Sequence, residues 1–385
     1  MRVGVFHNRY AERGGEDAAV DLEVEQLRKA GCEVHLFTVE SGDVTGKWAR
    51  ARALWQAPFN PEMEEHTASF LARHPVDLIH VHNSWPLLTP AVHLTGMALG
   101  LPVVQTLHNY RLACARADFL RNGRPCRACV TDGPWQAARF GCWKDSRLAS
   151  AAWARAITRQ RRQGAWTTLV DSFIAPSAFA KRRLVETAGL PADRIEVLPS
   201  PVADPGEPAP PGQGGIYVGR LATEKGVGLL LDAWRELGDT PLTIVGDGPE
   251  AEALRARAEG LPNVRFTGAL PSEGVRAELS RAAFAVAPSL CDETFGLAAA
   301  EALAQGRPVV VPEDTALAEL AHEGRTGLGF RRGDSVSLAA ACRQLVDDPD
   351  RTAELGREAR IAYEERFAPE PRVERLLALY RSFFV

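Results

Sequence analysis

Two glutamates in an alanine-rich stretch of the second half stand where they could hold a phosphate-bearing ligand. Glu293 precedes a helix that the pattern starts at Thr294 or Phe295, and Gly296 adds little bulk there. The first N–H groups of a helix have no internal partners and attract phosphate. Glu301 follows roughly 9 Å further along the helix. The two carboxylates could bind hydroxyls on either side of a diphosphate. A dipole-favoured acid at a helix start and a solvated helix acid are the alternatives.

Two cations follow a predicted strand in the same half of the chain. In "VGRLATEKG", Gly219 ends the strand, and Arg220 and Lys225 stand five positions apart around the next turn. A planar guanidinium and an ammonium that converge on one place suit a diphosphate. The alternative is a pair of solvated surface cations, but their position after a strand and beside glycine favours binding.

Two more strand ends in this half carry glycine. Gly246 lies in "VGDGP", where the alternative is an ordinary strand-to-helix turn capped by Asp247. In "VRFTGALP", the backbone groups of Gly268, Ala269 and Leu270 could contact a planar base. Ligands in open α/β sheets bind beyond the carboxyl ends of strands, so these positions are candidates for the same site.

The first half offers a glycine pair and a histidine. Gly14 and Gly15 are predicted in the loop before a helix, where the backbone could approach a phosphate or an acceptor, unless the loop is simply flexible. His108 ends the predicted strand "PVVQTLH". A lone histidine is usually structural, but the carboxyl end of a strand favours a functional role.

Four of the seven cysteines fall close together after this histidine. They are Cys114, Cys126, Cys129 and Cys142. Four thiolates could close a tetrahedral structural zinc site, and the segment is too rich in glycine and arginine for a core of its own. Separate buried thiols and a redox pair at Cys126 and Cys129 are the alternatives.

The elements that must position these residues alternate between strand and helix. Residues 2–7, 33–39, 76–82, 102–108 and 172–177 read as strands of the first half, with a helix predicted from about 16 to 30. The second half repeats the pattern with "GIYVGR", "PLTIVGDG", "NVRFTG", "AAFAVAPS" and "RPVVVP". This alternation predicts two Rossmann-like doubly wound α/β domains that face a cleft.

A proline- and glycine-rich segment separates the two halves. We therefore predict an N-terminal domain at 1–200 with a cysteine-rich insert at about 109–150, and a linker at 201–215. A second domain is predicted at 216–370, and the helical residues 371–385 could return to the first domain.

Composition narrows the class of protein. The 385 residues are 45% hydrophobic and 24% charged, with a formal net charge of −4, which argues against a nucleic-acid partner. No signal-peptide pattern and no apolar run of membrane-spanning length are present, and the odd number of cysteines suggests a cytoplasmic chain. The run "WARAITRQRRQ", residues 153–163, predicts a basic amphipathic helix, either a solvated surface or a peripheral contact at the inner face of the membrane.

Four motifs, "GRLATEKG", "VGDGP", "VRFTG" and "ETFGLAAAEALAQGRPVV", together resemble the donor domain of the retaining GT-B glycosyltransferases of family GT4. The resemblance implies a nucleotide-diphosphate-sugar donor, an acceptor hydroxyl on a glycan, a lipid-linked sugar or a natural product, retention at the anomeric carbon, and no cofactor or metal in catalysis. By the same resemblance, Arg220 and Lys225 hold the diphosphate, Glu293 the donor sugar and Glu301 the ribose.

The resemblance also extends to the remaining candidate residues. It suggests that Gly14 and Gly15 line the donor site and that His108 lies near the transferred sugar, with the cysteine segment as a cap on the acceptor side. The expected donor-binding positions are glycine-bearing loops and the start of one helix: Gly14, Gly15, Gly219, Arg220, Lys225, Gly246, Gly268, Ala269, Leu270, Glu293, Thr294, Phe295, Gly296, Leu297 and Glu301.

Two other functions fit a chain of this build. A nucleotide-sugar epimerase would need catalytic acids and no acceptor, and a zinc-bearing binding protein on a degenerate scaffold would need no intact charged set. A metal-dependent transferase is disfavoured because the one Asp-x-Asp sequence, at 348–350, lies between helical runs in the tail.

Overall fold

The structure is a computed structural model that describes residues 1–11 and 14–384. Glu12 and Arg13 of the predicted glycine-bearing loop, and Val385 of the predicted tail, lie outside the described residues. Its strands are β1 Arg2–Arg9, β2 Glu33–Glu40, β3 Leu78–Val81, β4 Val103–Thr106, β5 Leu120–Arg121, β6 Arg124–Pro125, β7 Ser172–Ala175, β8 Ile195–Val197, β9 Gly215–Val218, β10 Leu242–Val245, β11 Val264–Gly268, β12 Phe284–Val286, β13 Val309–Pro312 and β14 Gly327–Phe330.

Helices alternate with these strands along most of the chain. They are α1 Gly15–Lys29, α2 Lys47–Gln56, α3 Pro61–Arg73, α4 Ala91–Ala98, α5 Ala128–Thr131, α6 Gln136–Phe140, α7 Arg147–Arg162, α8 Ala165–Thr168, α9 Ala178–Ala188, α10 Val227–Trp234, α11 Ala251–Arg257, α12 Ser272–Arg281, α13 Leu297–Ala304, α14 Ala318–Ala321, α15 Ser335–Asp347, α16 Pro349–Arg366 and α17 Pro369–Arg381.

The chain divides into two compact units. The first contains Met1–Phe119, Cys126–Pro201 and Pro369–Val385, and the second contains Leu120–Pro125 and Val202–Ala368. The C-terminal helix α17 thus belongs to the first unit, where it packs against α1. The proline-rich residues 199–214 form neither helix nor strand. Proline lacks a backbone donor, so this segment cannot join a central strand.

The first unit is built on a six-stranded sheet in the order β2-β1-β3-β4-β7-β8, with every strand pair parallel. The central strands β3, β4 and β7 are buried throughout, as expected where helices cover both faces of a sheet. Its core includes Val3 and Val5 of β1, Leu27 of α1, and Leu376 and Tyr380 of α17.

The second unit is built on another six-stranded parallel sheet, in the order β11-β10-β9-β12-β13-β14. Apolar clusters lie on both of its faces, one around Trp234, Phe284 and Phe330, and the other around Phe295 and Phe367. Two parallel doubly wound sheets confirm the predicted GT-B class of fold.

The edge strands β8 and β14 were missed by the sequence analysis. β8 has only three residues and is partly exposed, and β14 is "GLGF", with two glycines among four residues. Short edge strands rich in glycine give little hydrophobic pattern, so they become visible only through their pairing with β7 and β13.

Candidate functional site

The topology of the second sheet brings two candidate loops together. β9 and β12 are neighbours although the strands β10 and β11 lie between them in the chain, so the strand order reverses at this point. Ligands of doubly wound folds bind beyond the carboxyl ends of strands at such a reversal. The loops that begin at Gly219, after β9, and at Ala287, after β12, therefore meet at the place where the fold favours a ligand.

These loops are joined through side chains that the sequence analysis singled out. Lys225 Nζ donates to Glu293 Oε1 at 2.7 Å, and Ser289 Oγ donates to the same oxygen at 2.8 Å. Ser289 Oγ also lies 3.2 Å from the carbonyl oxygen of Glu224, and Leu290 N donates to that carbonyl at 2.9 Å. The Lys225 ammonium and the Glu293 carboxylate thus hold each other, and the Glu224 carbonyl holds the loop that carries Ser289.

The ion pair shifts the pKa of both partners. Burial lowers the pKa of Lys225, but the Glu293 carboxylate outweighs burial and the net pKa is raised. Burial likewise raises the pKa of Glu293, and the Lys225 ammonium and the Ser289 hydroxyl reverse this to a net lowering. Both groups are therefore charged at neutral pH, and Lys225 offers a fixed positive charge to an incoming phosphate.

Arg220 has a different environment from Lys225. Its guanidinium contacts the carboxylate of Glu224, and its side chain is exposed. The Tyr217 hydroxyl donates to the Arg220 carbonyl at 2.9 Å and so fixes the backbone while the guanidinium reaches into solvent. The structure places Arg220 and Lys225 in one loop, each paired with a carboxylate rather than directed at a common point.

Two glycines allow a close backbone contact at the ends of β9 and β10. A Cβ on Gly246 would lie 1.9 Å from the carbonyl oxygen of Gly219, and Gly246 has a φ of +139°. A Cβ on Gly219 would lie 2.7 Å from the Tyr217 hydroxyl. Both positions therefore require glycine for close contacts within the protein, and the approach of these glycines to a ligand stays a prediction.

The helix after Glu293 begins later than predicted. Neither Thr294 nor Phe295 is helical, since α13 starts at Leu297 and Gly296 precedes it with a φ of +109°. A Cβ on Gly296 would lie 2.2 Å from Leu317 Cδ2, and the Phe295 ring is buried in the core. The backbone therefore buries the Phe295 ring and turns at Gly296 before α13 begins.

The later start changes the position of Glu301. It lies about 6 Å along the helix from Leu297, at 1.5 Å per residue, rather than the roughly 9 Å expected. Its side chain is exposed. Desolvation by the surrounding protein nevertheless raises the pKa of its carboxyl to about 7, and the charge of Arg276 lowers this pKa to a smaller extent. An exposed carboxyl in this setting readily shares or accepts a hydrogen bond with a ligand hydroxyl.

The predicted base-contact residues lie at the end of β11. Gly268 is the last residue of that strand, and its carbonyl accepts from Gly246 N at 2.9 Å. Ala269 is exposed and Leu270 partly exposed, and they lead into α12 at Ser272. Gly268 is thus joined to the Gly246 loop by one backbone bond.

In the first unit, His108 lines an open cavity of about 50 Å³. The cavity is lined by polar and aromatic side chains from the ends of β3 and β4 and from α7 and α8, among them His82, Asn83, Trp85, Asn109, Gln160 and Trp166. His108 is partly exposed at the wall of this cavity. The structure therefore places His108 just beyond the carboxyl end of β4, as the sequence predicted.

A buried polar network behind His108 was missed by the sequence analysis. His82 Nδ1 lies 3.0 Å from His108 Nε2, and His82 Nε2 lies 3.1 Å from Glu23 Oε1. Glu23 also contacts the Arg372 guanidinium. A signal was present in "HVH", because alternate strand residues share a face, and in the acid Glu23 beside the apolar residues of α1.

This network contains the one group of three suitable metal-ligand atoms found among the described residues. Atoms of Glu23, His80 and His82 lie within 4.8 Å of one another. The other oxygen of Glu23 contacts Arg372, and the Tyr380 hydroxyl lies 2.6 Å from His80 Nδ1. A guanidinium next to the carboxylate disfavours a further cation, so we interpret the group as a buried polar cluster rather than a metal site.

The glycine pair of the first unit lies at the start of α1. Gly14 precedes the helix and Gly15 is its first residue, so Gly15 is not in the loop as predicted. Gly14 N donates to Asp17 Oδ2 at 3.1 Å, which caps the helix. The neighbouring Glu16 accepts from the Tyr10 hydroxyl at 3.0 Å, and burial raises the pKa of Glu16 to about 7.

The four clustered cysteines lie close to one another without forming a ligand set. Burial raises the pKa of the Cys129 thiol to about 12, and the nearby thiols of Cys114, Cys142 and Cys126 add to the rise. Among the described residues, no three of these sulfurs lie within 4.8 Å of one another. None of the four forms a disulfide bond.

The cysteine segment has a small core, contrary to expectation. Cys129 and Ala137 pack with Trp153 and Ile157 of α7, which also buries Gln160. The run 153–163 is thus amphipathic, as predicted: its apolar face is buried, and Arg159, Arg161 and Arg162 on the other face are exposed. The glycine and arginine content was misleading because the apolar partners come from α7, which lies after the segment in sequence.

Solved structures share this fold. Anabaena HepE in complex with UDP aligns with a TM-score of 0.69 at 17% identity, covering 99% of this chain and 100% of that one. Sucrose-phosphate synthase from Thermosynechococcus elongatus aligns with a TM-score of 0.71 at 20% identity, covering 100% and 99%. At these identities the likeness shows the fold.

Curated relatives match over different lengths. Sulfoquinovosyl transferase SQD2 of Arabidopsis thaliana is 26% identical over 88% of this chain and 64% of its own length. Glycogen synthase of Mycobacterium tuberculosis is 40% identical over 38% of this chain and 36% of its own. The chain therefore spans about a third to two thirds of the length of these two relatives. Alpha-maltose-1-phosphate synthase of Mycolicibacterium smegmatis is 28% identical over 99% of both chains.

Two family models cover most of the chain. Glycosyltransferase Family 4 matches residues 14–204, which include the glycine pair and His108, and Glycosyl transferases group 1 matches residues 213–348, which include every candidate of the second unit. The first match ends close to the boundary between the two units, and the second lies within the second unit. With its two parallel sheets and the relatives along its length, the chain belongs to family 4 of the GT-B glycosyltransferases.

Proposed function

We propose that the protein transfers a sugar from a nucleotide-diphosphate-sugar donor to an acceptor hydroxyl with retention of anomeric configuration. The observation that carries the proposal is the Lys225–Glu293 pair, held by Ser289 where the strand order of the second sheet reverses. A cation and a carboxylate fixed beside glycine-bearing loops suit a ligand with a diphosphate and a hydroxylated ring.

The leaving diphosphate takes its charge partners from the chain. Arg220 and Lys225 neutralise the phosphate oxygens, and the first N–H groups of α13 from Leu297 add partial positive charge. Arg220 needs only to exchange Glu224 for the ligand, since its side chain is exposed. Catalysis with these partners requires no divalent cation, so activity should survive EDTA.

The two acids of this unit have separate roles. Glu293 accepts hydrogen bonds from the donor sugar, and Glu301 accepts them from the ribose. The backbone at Gly246 and at Gly268, Ala269 and Leu270 contacts the nucleoside. Support comes from the exposure of Glu301 and Ala269 and from the bond that joins the Gly246 and Gly268 loops.

On the first unit, His108 contacts the transferred sugar, and Gly14 and Gly15 approach the donor through the start of α1. Support comes from the cavity beside His108, which combines polar groups with the aromatic rings of Trp85 and Trp166. Aromatic faces beside hydrogen-bonding groups are suited to sugar rings.

One assay separates this proposal from its rivals. The protein is incubated with a panel of nucleotide sugars, and nucleotide diphosphate release is measured with and without candidate acceptors and with EDTA. Acceptor-dependent release supports transfer. Conversion of the donor sugar without an acceptor would indicate an epimerase, and binding without turnover a non-catalytic protein. A strict magnesium requirement would overturn the metal-free mechanism.

The nucleotide is identified by thermal shift with UDP, GDP, ADP and dTDP. UDP is the first probe because it is bound in the Anabaena HepE structure. The cognate nucleotide, supplied at 100 times its Kd, would stabilise the folded protein by about 2.7 kcal/mol. The Lys225→Ala variant is the control, since its shift should be smaller for every nucleotide that binds through its diphosphate.

The cysteine cluster is proposed to hold a structural zinc ion. The support is the convergence of Cys114, Cys126 and Cys142 on Cys129, within a segment that has only a small core. Zinc requires sulfurs about 2.3 Å from the metal, so the thiols must draw closer than they lie in this structure. About one zinc per chain, lost in Cys126→Ser, would support the site. A metal-free protein that is fully active would leave only buried thiols.

Peripheral membrane contact is proposed for α2 rather than for the run 153–163. Trp48 and Trp55 are 89% and 74% exposed, and Arg50 lies between them on the same helix. Exposed tryptophan beside basic residues favours an anionic lipid surface. Among the described residues, the helices lack the combination of length and apolar composition that a membrane span requires.

This contact is tested by co-sedimentation with vesicles. The double change of Trp48 and Trp55 to Ala should abolish binding to phosphatidylglycerol vesicles, whereas Trp135→Ala, which removes another exposed indole, should not. Equal loss in both variants, or no binding by the unaltered protein, would refute the contact.

A further inference from the structure

The cavity beside His108 is lined by a buried glutamine of α7. Gln160 is 3% exposed, and it lines the cavity together with Ile157 of the same helix. Trp153, Ile157 and Gln160 follow one another at helical spacing, so they share one face of α7. Gln160 is therefore a polar residue on the buried, otherwise apolar face of this helix.

The amide of Gln160 is not used by the fold. Within residues 1–11 and 14–384 it forms no hydrogen bond with the protein. Gln105, which is 5% exposed and lines the same cavity, differs: its Oε1 lies 2.5 Å from His93 Nε2, and its Nε2 donates to the His82 carbonyl at 3.2 Å. Buried amides are normally bonded in this way, so the Gln160 amide indicates a bound group as its partner.

Arg111, in the loop after β4, lines the same cavity and is held in place by its backbone. Its N donates to Asn109 Oδ1 at 3.0 Å, and its carbonyl accepts from Trp153 Nε1 at 3.0 Å. Of the guanidinium, Nη1 donates to the Ala115 carbonyl at 3.2 Å. Nε is buried without a hydrogen-bond partner, and Nη2 has none in the described part of the chain.

Nε and Nη2 form one edge of the planar guanidinium, and this edge suits an oxyanion. Arg2 shows the arrangement in the same unit, because its Nε and Nη2 both donate to the Asp77 carboxylate, at 3.1 Å and 2.7 Å. Arg111 forms no ion pair with a carboxylate of the described residues. A carboxylate or phosphate of a ligand can take the place that Asp77 has at Arg2.

The acid near Arg111 does not fully neutralise it. Burial raises the pKa of Glu16 to about 7, although the hydrogen bond from Tyr10 and the charge of Arg111 act to lower it. Glu16 is therefore ionised in only about half of the molecules at pH 7. The positive charge of Arg111 thus remains partly uncompensated, which favours an anion at the cavity.

We propose that the cavity beside His108 binds an anionic group, a carboxylate or a phosphate, through the guanidinium of Arg111 and the amide of Gln160. Resting on the proposed function, this group belongs to the acceptor and lies close to the hydroxyl that receives the sugar. The rings of Trp85 and Trp166 also line the cavity and can pack against the ring that carries the charge. The acceptor is then an acidic or phosphorylated compound rather than a neutral glycan.

Binding of three related sugars tests the site without any donor. Glucuronate carries a carboxylate, glucose 6-phosphate a phosphate and glucose no charge, on one common ring. Calorimetric titration should show tighter binding of one of the two anions than of glucose. Arg111→Gln should weaken that anion about 10-fold or more and leave glucose unchanged, because it removes a charged hydrogen-bond donor.

The matched control for charge is Arg161→Gln. It removes an exposed guanidinium whose Nη2 donates to the Leu112 carbonyl at 3.1 Å, and it should change the affinity for the anion by no more than about 2-fold. Each titration is repeated in Lys225→Ala protein, because the proposed diphosphate site of the second unit could also take a phosphate. The effect of Arg111→Gln should persist there.

Stability separates a ligand-binding amide from a structural one. Gln160→Met keeps the volume of the side chain and removes its amide, so the ligand-free protein should unfold at the same or a higher temperature. The affinity for the anion should nevertheless fall about 3-fold or more. Gln105→Met is the matched control and should lower the unfolding temperature, since it leaves His93 and the His82 carbonyl without their partner. If Arg111→Gln does not fold, Gln160→Met still decides the question.

Three results would overturn the proposal: glucose that binds as tightly as both anions, equal losses in Arg111→Gln and Arg161→Gln, or a Gln160→Met protein that unfolds as early as Gln105→Met. These measurements contain no donor, so their failure is separate from failure of the proposed function. With an active donor, Arg111→Gln should raise the KM of the anionic acceptor about 10-fold and leave the KM of the donor unchanged. Anion binding through Arg111 without any acceptor-dependent transfer would remove the proposed function and retain the anion site.

Discussion

In the second unit, Lys225 and Glu293 meet because their loops follow neighbouring strands, and glycines at 219 and 246 shape the surrounding backbone. In the first unit, His108 is supported by side chains from α1, β3 and α17 that are buried among apolar residues. The charged pair of the second unit remains within reach of solvent, with Lys225 31% and Glu293 18% exposed, whereas Glu23 and Arg372 are not.

The comparison shows two ways of holding a polar group for a ligand. A solvent-accessible pair can exchange partners when a charged ligand arrives, since water screens the intermediate state. A buried network cannot exchange partners without exposing an unpaired charge, so it serves to fix orientation. The accessible pair of the second unit can therefore change partners, whereas the buried network of the first unit holds its side chains in place.

The largest expected effect tests the buried side of this contrast. Arg372→Met leaves the Glu23 carboxylate buried without its cation, and the free energy of unfolding should fall by about 3–5 kcal/mol. Denaturant titration measures the change. Arg375→Met is the control on the same helix, since the exposed Arg375 guanidinium donates to the Val197 carbonyl at 2.7 Å, and this change should cost less than about 1 kcal/mol. Equal losses would show that Glu23 is not specially dependent on Arg372.

The next effect concerns the accessible pair. Lys225→Ala removes a charge partner of the leaving diphosphate and should lower turnover by roughly 10²-fold or more, with a smaller effect on stability. The control is Lys29→Ala, which removes an exposed lysine that contacts Glu25 at 2.6 Å on α1. Turnover that survives in Lys225→Ala would mean that Arg220 and the helix amides suffice.

A smaller effect separates the two acids of the second unit. Glu301→Ala should weaken binding of the free nucleoside diphosphate about 10-fold, because a ribose contact is lost, whereas Glu293→Ala should mainly reduce the reaction with the intact donor. A tenfold change corresponds to about 1.4 kcal/mol. Calorimetric titration with the nucleotide alone measures it. Equal weakening in the two variants would contradict the separate roles.

The smallest effect is a pH dependence of stability in the first unit. Burial lowers the pKa of His93 to about 4. Below pH 6.5 the unfolded chain binds a proton that the folded His93 does not, so stability is lost as the pH falls toward 4. Between pH 7 and pH 6 this amounts to about 0.7 kcal/mol for one histidine.

His93→Gln should remove this contribution, because glutamine does not titrate and can still bond Gln105. The difference between the unaltered protein and the variant isolates His93 from Glu16, which titrates in the same range with the opposite sign. If the difference in free energy of unfolding between the two proteins is the same at pH 7 and pH 6, His93 is accessible to protons in the folded state.

The loop positions of the candidate residues in the second unit could be predicted closely because their signals are local. Gly219, Arg220 and Lys225 lie within seven residues, and strand, turn and cation can be read from one motif. The same is true of the strand-helix alternation that gave both sheets. The start of α13 was placed too early, because the steric demand on Gly296 comes from Leu317, which the local pattern does not contain.

The sequence by itself determined two doubly wound domains, their strands of ordinary length, and the candidate residues at strand ends, since these follow from hydrophobic period and short motifs. Only the tertiary structure decided that Lys225 reaches Glu293 across 68 positions and that Arg372 reaches Glu23 across 349. Tertiary packing also gave the cysteine segment a core and placed His82 behind His108. Such contacts depend on how distant elements pack, and burial then sets the protonation states that no local pattern encodes.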